Sequence, residues 1–260
     1  MKMELEEFNM NFFELNGKVA IVTGGNTGLG QACAVALAKA GADIFITSHK
    51  NSFEETKTLV ENEGRKFAFY QGDLSKKESI QQVIDLCMLT FGRIDILVNN
   101  AGTIRRAPLL EHKDEDWEQV MSLNTNTVYY LSQRVAKIMK EQGGGKIINM
   151  SSMLSFQGGK FVPGYTASKH AVAGITKAFA NELAPFNIQT NAIAPGYFAT
   201  NNTAALRADE KRSKEILARI PAGKWGNPSD LMGTVIFLAS NASNYINGHI
   251  LAVDGGWLVR

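Results

Sequence analysis

The chain has 260 residues, a formal net charge of +2 and a hydrophobic fraction of 45%. That length suits one large α/β domain spanning 1–260, with enough buried surface to fold without disulfide or metal staples. The near-neutral balance and the lack of any long basic run argue against a nucleic-acid partner, and no run approaches the ~18 apolar residues that span a membrane.

Glu4, Glu6 and Glu7 stand where a signal peptide carries bases, so the expected compartment is the cytoplasm. Residues 1–16 read as a polar arm on the surface. Residues 18–23 form a short apolar strand, followed by the glycine loop 24–30 and the alanine-rich helix 31–40. Strand, glycine loop and helix in that order suit a pyrophosphate, because glycine lets the backbone approach closely and a helix start offers free N–H groups. Strands follow at 43–47, 66–70, 94–98, 146–150, 188–194 and 249–253. Helices are predicted at 51–63, 76–91, 114–140, 165–184, near 203–219 and at 228–239. This alternation predicts a doubly wound, Rossmann-type parallel sheet of seven strands with helices on both faces. Only 197–227 loosens the pattern, as expected of a substrate lid. Cys33 and Cys87 fall in predicted helices without metal or redox spacing and read as small buried hydrophobes. His49, His112, His170 and His249 are scattered without metal-ligand spacing, so no metal site is expected. Trp225 and Trp257 read as packing residues.

The chemistry concentrates in 152–169. Tyr165 and Lys169 lie four apart in a predicted helix and share a face. A lysine beside a phenol supplies charge that eases ionisation from a pKa of about 10, making a proton donor and acceptor for general acid–base work. Ser152 ends the buried strand 146–150, where an open α/β sheet places its chemistry. A hydrolase with Ser152 as nucleophile is disfavoured, because no G-x-S-x-G elbow surrounds any serine.

Together these residues resemble the short-chain dehydrogenase/reductase family over about 17–256. The resemblance rests on the stretch from Thr23 to Gly30, on Asp73, on Asn99 to Gly102, and on Asn124, Ser152, Tyr165 and Lys169. Pro195, Gly196, Thr200 and the stretch from Val253 to Gly256 complete it. It implies that Tyr165 is the acid or base, that Lys169 holds the nicotinamide ribose and lowers the tyrosine pKa, that Ser152 binds the substrate oxygen, and that Asn124 supports a water chain to Lys169. It implies a cofactor cradle of Thr23, Gly24, Asn26, Gly28, Leu29, Gly30, Ser48, Asp73, Leu74, Asn99, Asn100, Ala101, Gly102, Tyr165, Lys169, Pro195, Gly196, Phe198 and Thr200. Residues 196–200 would approach the nicotinamide end. Family members that prefer NAD often carry an acid at the end of the second strand; here Thr47, Ser48, His49 and Lys50 stand instead, and His49 or Lys50 could meet a 2′-phosphate. The expected cofactor is NAD, with NADP as the second option. Stretches 155–159, 220–226 and 248–257 resemble the family's sugar-acid dehydrogenases, with a reductase of another polyol or ketone as the alternative. A sugar acid needs a cation and polar partners, and Arg105, Arg106, Gln157, Lys160, Arg207, Arg212 and Lys224 line the expected rim. Arg106 or Lys160 is expected on the carboxylate and Gln157 on a hydroxyl. The resemblance also implies a homotetramer.

Overall fold

The computed structural model describes residues 9–49 and 52–260. Seven parallel strands form one sheet among them, in the order β3-β2-β1-β4-β5-β6-β7. They are β1 (Val19–Val22), β2 (Asp43–Ser48), β3 (Phe67–Gln71), β4 (Ile96–Asn99), β5 (Gly145–Met150), β6 (Ile188–Pro195) and β7 (Ile250–Val253). The helices are α1 (Gly28–Lys39), α2 (Glu54–Glu61), α3 (Lys77–Phe91), α4 (Asp114–Met121), α5 (Thr127–Glu141), α6 (Pro163–Leu183), α7 (Ala204–Ala208), α8 (Glu210–Arg219) and α9 (Met232–Ala239). The expected doubly wound sheet is thus the observed one. Among the described residues no helix is long and apolar enough to cross a membrane.

Strand residues alternate between the two faces, and both faces are apolar because both are covered. Ala20, Val22, Ile44, Ile46 and Val98 pack with Cys33 and Leu37 of α1 and Val235 and Leu238 of α9. Val19, Ile21, Phe45 and Leu97 pack on the other face with Ile80 and Val83 of α3 and Leu131 and Val135 of α5. Each fully buried Leu, Ile or Val contributes roughly 1.5–3 kcal/mol. Cys33 and Cys87 are free and buried in these layers, and burial pushes both thiols up to about 12, Cys87 with a smaller push from Asp95.

Four local departures from the sequence expectation have clear causes. The arm at 1–16 is not wholly superficial: Leu15 is buried and its N–H donates to Ala40 O at 2.7 Å. Residues 1–8 lie outside the described residues. The helix expected at 114–140 is split by a π-helical turn over Ser122–Asn126, where the Thr127 N–H reaches back to Ser122 O. Asn124 drives the bulge, as the active site below makes plain. The helix expected at 165–184 starts at Pro163, because proline suits a first helical turn. The polar helix near 203–219 is two helices, since Asp209 interrupts it and caps the second by accepting from Arg212 N at 3.0 Å.

At the opposite edge from the chemistry, Asp95 anchors the start of β1. Its buried carboxylate accepts from Val19 N at 3.0 Å and twice from Arg93 at 2.7 Å, with Lys18 Nζ at 3.4 Å. Asp95→Ala should orphan the Val19 N–H and lower stability by about 2–3 kcal/mol, read as a drop in the denaturant midpoint with an unchanged slope.

Candidate active site

Strands β1 and β4 are neighbours whose following helices cover opposite faces, so a crevice opens at their carboxyl ends. The Thr23 hydroxyl accepts from Asn100 N and Ala101 N, both at 2.9 Å. The Asn100 side-chain amide donates to Thr23 O at 2.9 Å and Gly24 O at 3.2 Å. Gly24 adopts φ +63, and its N–H donates to Thr47 Oγ1 at 3.1 Å. A Cβ on Gly30 would lie 2.1 Å from Gly24 O, so only glycine lets α1 sit this close to the loop. Asn26 donates to Ser52 O at 3.3 Å and ties the loop to the segment before α2. Leu29 packs against the core.

The crevice passes a direct fit test for a dinucleotide. Ser48 ends β2 with its hydroxyl buried and unpartnered, where a ribose hydroxyl or its phosphate ester would find a donor. Asp73 stands nearby at the end of β3. Burial resists its charge, but Ser75 hydrogen bonds, His49 and Lys76 prevail and hold its pKa below the ordinary value. Leu74 is buried beside it. Lys50 lies outside the described residues. Thr200 comes within 3.7 Å of where a Gly28 Cβ would be, so it adjoins the glycine loop. Phe198 is a wall residue: it is buried in the main core and its backbone pairs with Gly226. Pro195 ends β6, and Gly196 lies so close to Asp254 that a Cβ would meet its Cα at 2.6 Å. Gly102 leads into the loop that Asn124 holds.

The candidate reacting residues sit beside this crevice. Ser152 follows β5; its hydroxyl accepts from Leu154 N at 3.1 Å and lies near enough to the Tyr165 phenol to favour its ionised form. Tyr165 and Lys169 share a face of α6, with Lys169 Nζ 5.4 Å from the ring centroid. Lys169 Nζ donates to Met150 O at 2.6 Å. Burial raises the Tyr165 pKa, and the groups that oppose this are Ser152 and the Arg106 guanidinium. Lys169 stands over the Tyr165 ring, and Arg106 is a second cation whose charge bears on the phenol. The lysine head is drawn to the carbonyl at the end of β5, and burial lowers its own pKa to about 8.

Asn124 acts as a clamp. Its Oδ1 accepts from Thr103 N at 2.8 Å and its Nδ2 donates to Thr103 O at 2.9 Å and Ser168 Oγ at 3.1 Å. The side chain thus joins the loop after Gly102 to α6, and the π turn is the backbone shift that admits it. Ser168, Thr47 and Ser155, whose hydroxyl donates to Lys169 O at 2.7 Å, are supports that sequence reasoning missed. Asn99 Nδ2 donates to Ser132 Oγ and Asn149 Oδ1, both at 2.8 Å, and Asn149 donates on to Thr176 Oγ1 at 2.9 Å. Asn149 inside an apolar strand was the visible signal for that chain.

The proposed rim residues separate. Arg105 is engaged by Asp116, Gln119 and Thr103. Arg106 is exposed and, among the described residues, has no ion pair or hydrogen bond. Its charge bears on the Tyr165 phenol, where it opposes the effect of burial. Lys160 is exposed with its ammonium 4.9 Å from the Phe161 ring centroid. Phe161 holds φ +68, and its carbonyl accepts from Ala107 N at 3.1 Å, joining the Arg106 loop to the start of α6. Gln157 faces Trp257 and Arg219. Arg207 donates to Thr200 O, Arg212 pairs with Glu215 and Lys224 with Asp230.

The family model described as enoyl-(acyl carrier protein) reductase, a short-chain dehydrogenase model, matches residues 24–258. This chain belongs to the short-chain dehydrogenase/reductase family. It is 57% identical over 254 residues to the 2-dehydro-3-deoxy-D-gluconate 5-dehydrogenase of Escherichia coli K12, covering 96% of this chain and 99% of that one. It is 56% identical over 250 residues to the Bacillus subtilis enzyme of the same name, covering 95% and 97%. The crystal structure of a gluconate 5-dehydrogenase from Burkholderia cenocepacia, in complex with NADP and tartrate, matches with a TM-score of 0.90 at 39% identity, covering 96% and 98%.

Two outcomes follow from this geometry. Tyr165→Phe keeps the ring but removes the acidic O–H, so steady-state assays should show kcat falling by at least ~100-fold while cofactor affinity, read by fluorescence titration, stays close to that of the parent. The depressed Lys169 and Lys146 ammoniums, both near 8, lose their protons in the folded chain before the unfolded one does. The unfolded chain then binds more protons, so stability should rise between about pH 8 and about pH 10. Lys169→Met should flatten that rise in denaturant titrations.

Proposed function

We propose that this protein is a nicotinamide-dependent dehydrogenase that interconverts 2-dehydro-3-deoxy-D-gluconate and 3-deoxy-D-glycero-2,5-hexodiulosonate, a step in the breakdown of uronates from pectin or glycosaminoglycans. The observation that carries this reading is the unpartnered Arg106 guanidinium acting on Tyr165, in a chain 57% identical to an enzyme named for that substrate. A bound nicotinamide supplies or takes up the hydride. The chain's own residues handle the rest. Ser152 donates a hydrogen bond to the substrate oxygen at the reacting carbon. Burial keeps the Tyr165 phenol protonated and ready to give its proton to that oxygen in reduction; in oxidation its conjugate base takes the proton back. Arg106 offsets the phenolate charge and pairs with the substrate carboxylate, and Lys169 holds the ribose.

The proposed cofactor is NAD, with NADP also admitted. Ser48 in place of a carboxylate supports the second option, as does the NADP bound by the Burkholderia relative. A cytoplasmic homotetramer is the proposed assembly. Its support is the face shared by α5 and α6, which leaves Tyr129 40% exposed beside Phe179.

The test is a panel of keto sugar acids, including 5-keto-D-gluconate, and neutral ketones, each assayed with NADH and NADPH. 3-Deoxy-D-glycero-2,5-hexodiulosonate, the proposed C5 keto acid, should give the highest kcat/KM, above 5-keto-D-gluconate. Better turnover of neutral ketones would overturn the sugar-acid reading. Arg106→Ala should cost about 1.5–3 kcal/mol, roughly ten- to a hundred-fold in kcat/KM, with the acid substrate. The loss should shrink with an uncharged analogue. Equal losses on both would put the carboxylate elsewhere.

A further inference from the structure

The lid has a core of its own. Met153, Ile216, Ile220 and Trp257 form a small buried cluster apart from the two main layers, with Tyr197 and Trp225 packed against it. Tyr197 meets Trp257 edge-on at 4.8 Å and Trp225 at 5.5 Å. Only Ile216 of α8 is buried, so little apolar surface holds the lid helix down, and such segments open at low cost. Something else must fix it.

One side chain meets all three segments involved. Gln157, in the loop after Ser152, accepts at Oε1 from Trp257 Nε1 at 3.0 Å and from Arg219 Nη2, the last residue of α8, at 3.4 Å. The Arg219 guanidinium also lies 4.0 Å from the Trp257 ring centroid. An indole N–H and a guanidinium can only donate, so they fix the amide orientation and use both acceptor sites of its oxygen. The end of the chain adds a further tie, because Arg260 Nη1 donates to Ala218 O at 2.6 Å. Met153, the neighbour of Ser152, belongs to the same cluster. Movement of the lid is thus passed to the residue beside the substrate oxygen.

We propose that Gln157, Arg219 and Trp257 form a latch that holds the lid and the C-terminal turn against the Ser152 loop, making Gln157 a positioning residue for the substrate pocket rather than a ligand of a substrate hydroxyl. The latch shapes the pocket of the dehydrogenase proposed above and rests on that reading for its kinetic consequence. Its structural consequence is independent of the substrate.

Three variants test it: Gln157→Leu removes the acceptor, Trp257→Phe removes the indole N–H but keeps a ring, and Gln157→Glu keeps acceptors for both donors but loses the amide N–H₂. Trypsin cleavage at Lys211, Arg212, Lys214 and Lys224, all exposed on the lid segment, reads the latch directly. The Leu and Phe variants should be cut about tenfold faster there, with KM for the C5 keto acid raised by a similar factor and kcat changed much less. The Glu variant should keep both the protection and the KM of the parent. If Gln157→Glu is as impaired in KM as Gln157→Leu while its lid stays protected, Gln157 contacts substrate and the proposal fails. Unchanged cleavage in both Gln157→Leu and Trp257→Phe would also overturn it. If the sugar-acid reading is the one at fault, no variant turns over that substrate while cleavage still responds.

Discussion

A single hydroxyl closes the place where the sheet divides. The chains leaving β1 and β4 turn to opposite faces, and the peptide N–H groups of Asn100 and Ala101 lose any strand neighbour. Thr23 Oγ1 accepts both. Both N–H groups are partly buried, and the two bonds to one hydroxyl pin the chain after β4 against the end of β1. The rest of the cradle is built on it. The Asn100 amide covers the carbonyls of Thr23 and Gly24, Gly24 turns through a left-handed conformation, and Gly30 brings α1 down onto the turn.

A second set of buried amides carries that order to the reacting residues. Asn99 and Asn149 are register partners on β4 and β5. Their side chains link Ser132 of α5 to Thr176 of α6. α6 is therefore fixed to the sheet by directional bonds as well as by packing, and Tyr165 and Lys169 ride on it. Asn124 and Ser155 hold the same helix from the loops above. Asn99 Oδ1 is buried without a partner, yet the directional bonds that are made constrain α6 to one geometry more narrowly than apolar contacts do.

Much of this was legible in the chain before any coordinates. Period and punctuation gave the strands to within two residues, because buried parallel strands are short apolar runs ended by Gly, Pro, Asn or Asp. That Tyr165 and Lys169 share a helix face and that Ser152 follows the tip of a buried strand were equally visible. The π turn was not: 114–140 keeps a helical pattern throughout, and the bulge depends on Thr103, which is distant in sequence. Charge partners were also hidden. The Lys169 head is drawn to Met150 O, and the Arg106 guanidinium, from a separate loop, is a further charge that opposes the effect of burial on the phenol. Gln157 was expected on a substrate hydroxyl, because nothing near it in sequence announces Trp257 or Arg219.

The serine at the end of β2 reaches beyond the site. NAD and NADP carry electrons at nearly the same intrinsic potential, but cells hold the two pools at different degrees of reduction, and enzymes keep the pools apart by rejecting the wrong carrier. A carboxylate does that by repelling a 2′-phosphate; Ser48 has no charge with which to repel it. A dehydrogenase that takes electrons from a sugar acid with one carrier and returns them with the other leaves the sugar acid unchanged. The net result is electron exchange between the pools, with the hydroxy and keto acids as the shuttle. Discrimination at one hydroxyl thus bears on how separately a cell can hold its oxidising and reducing currents.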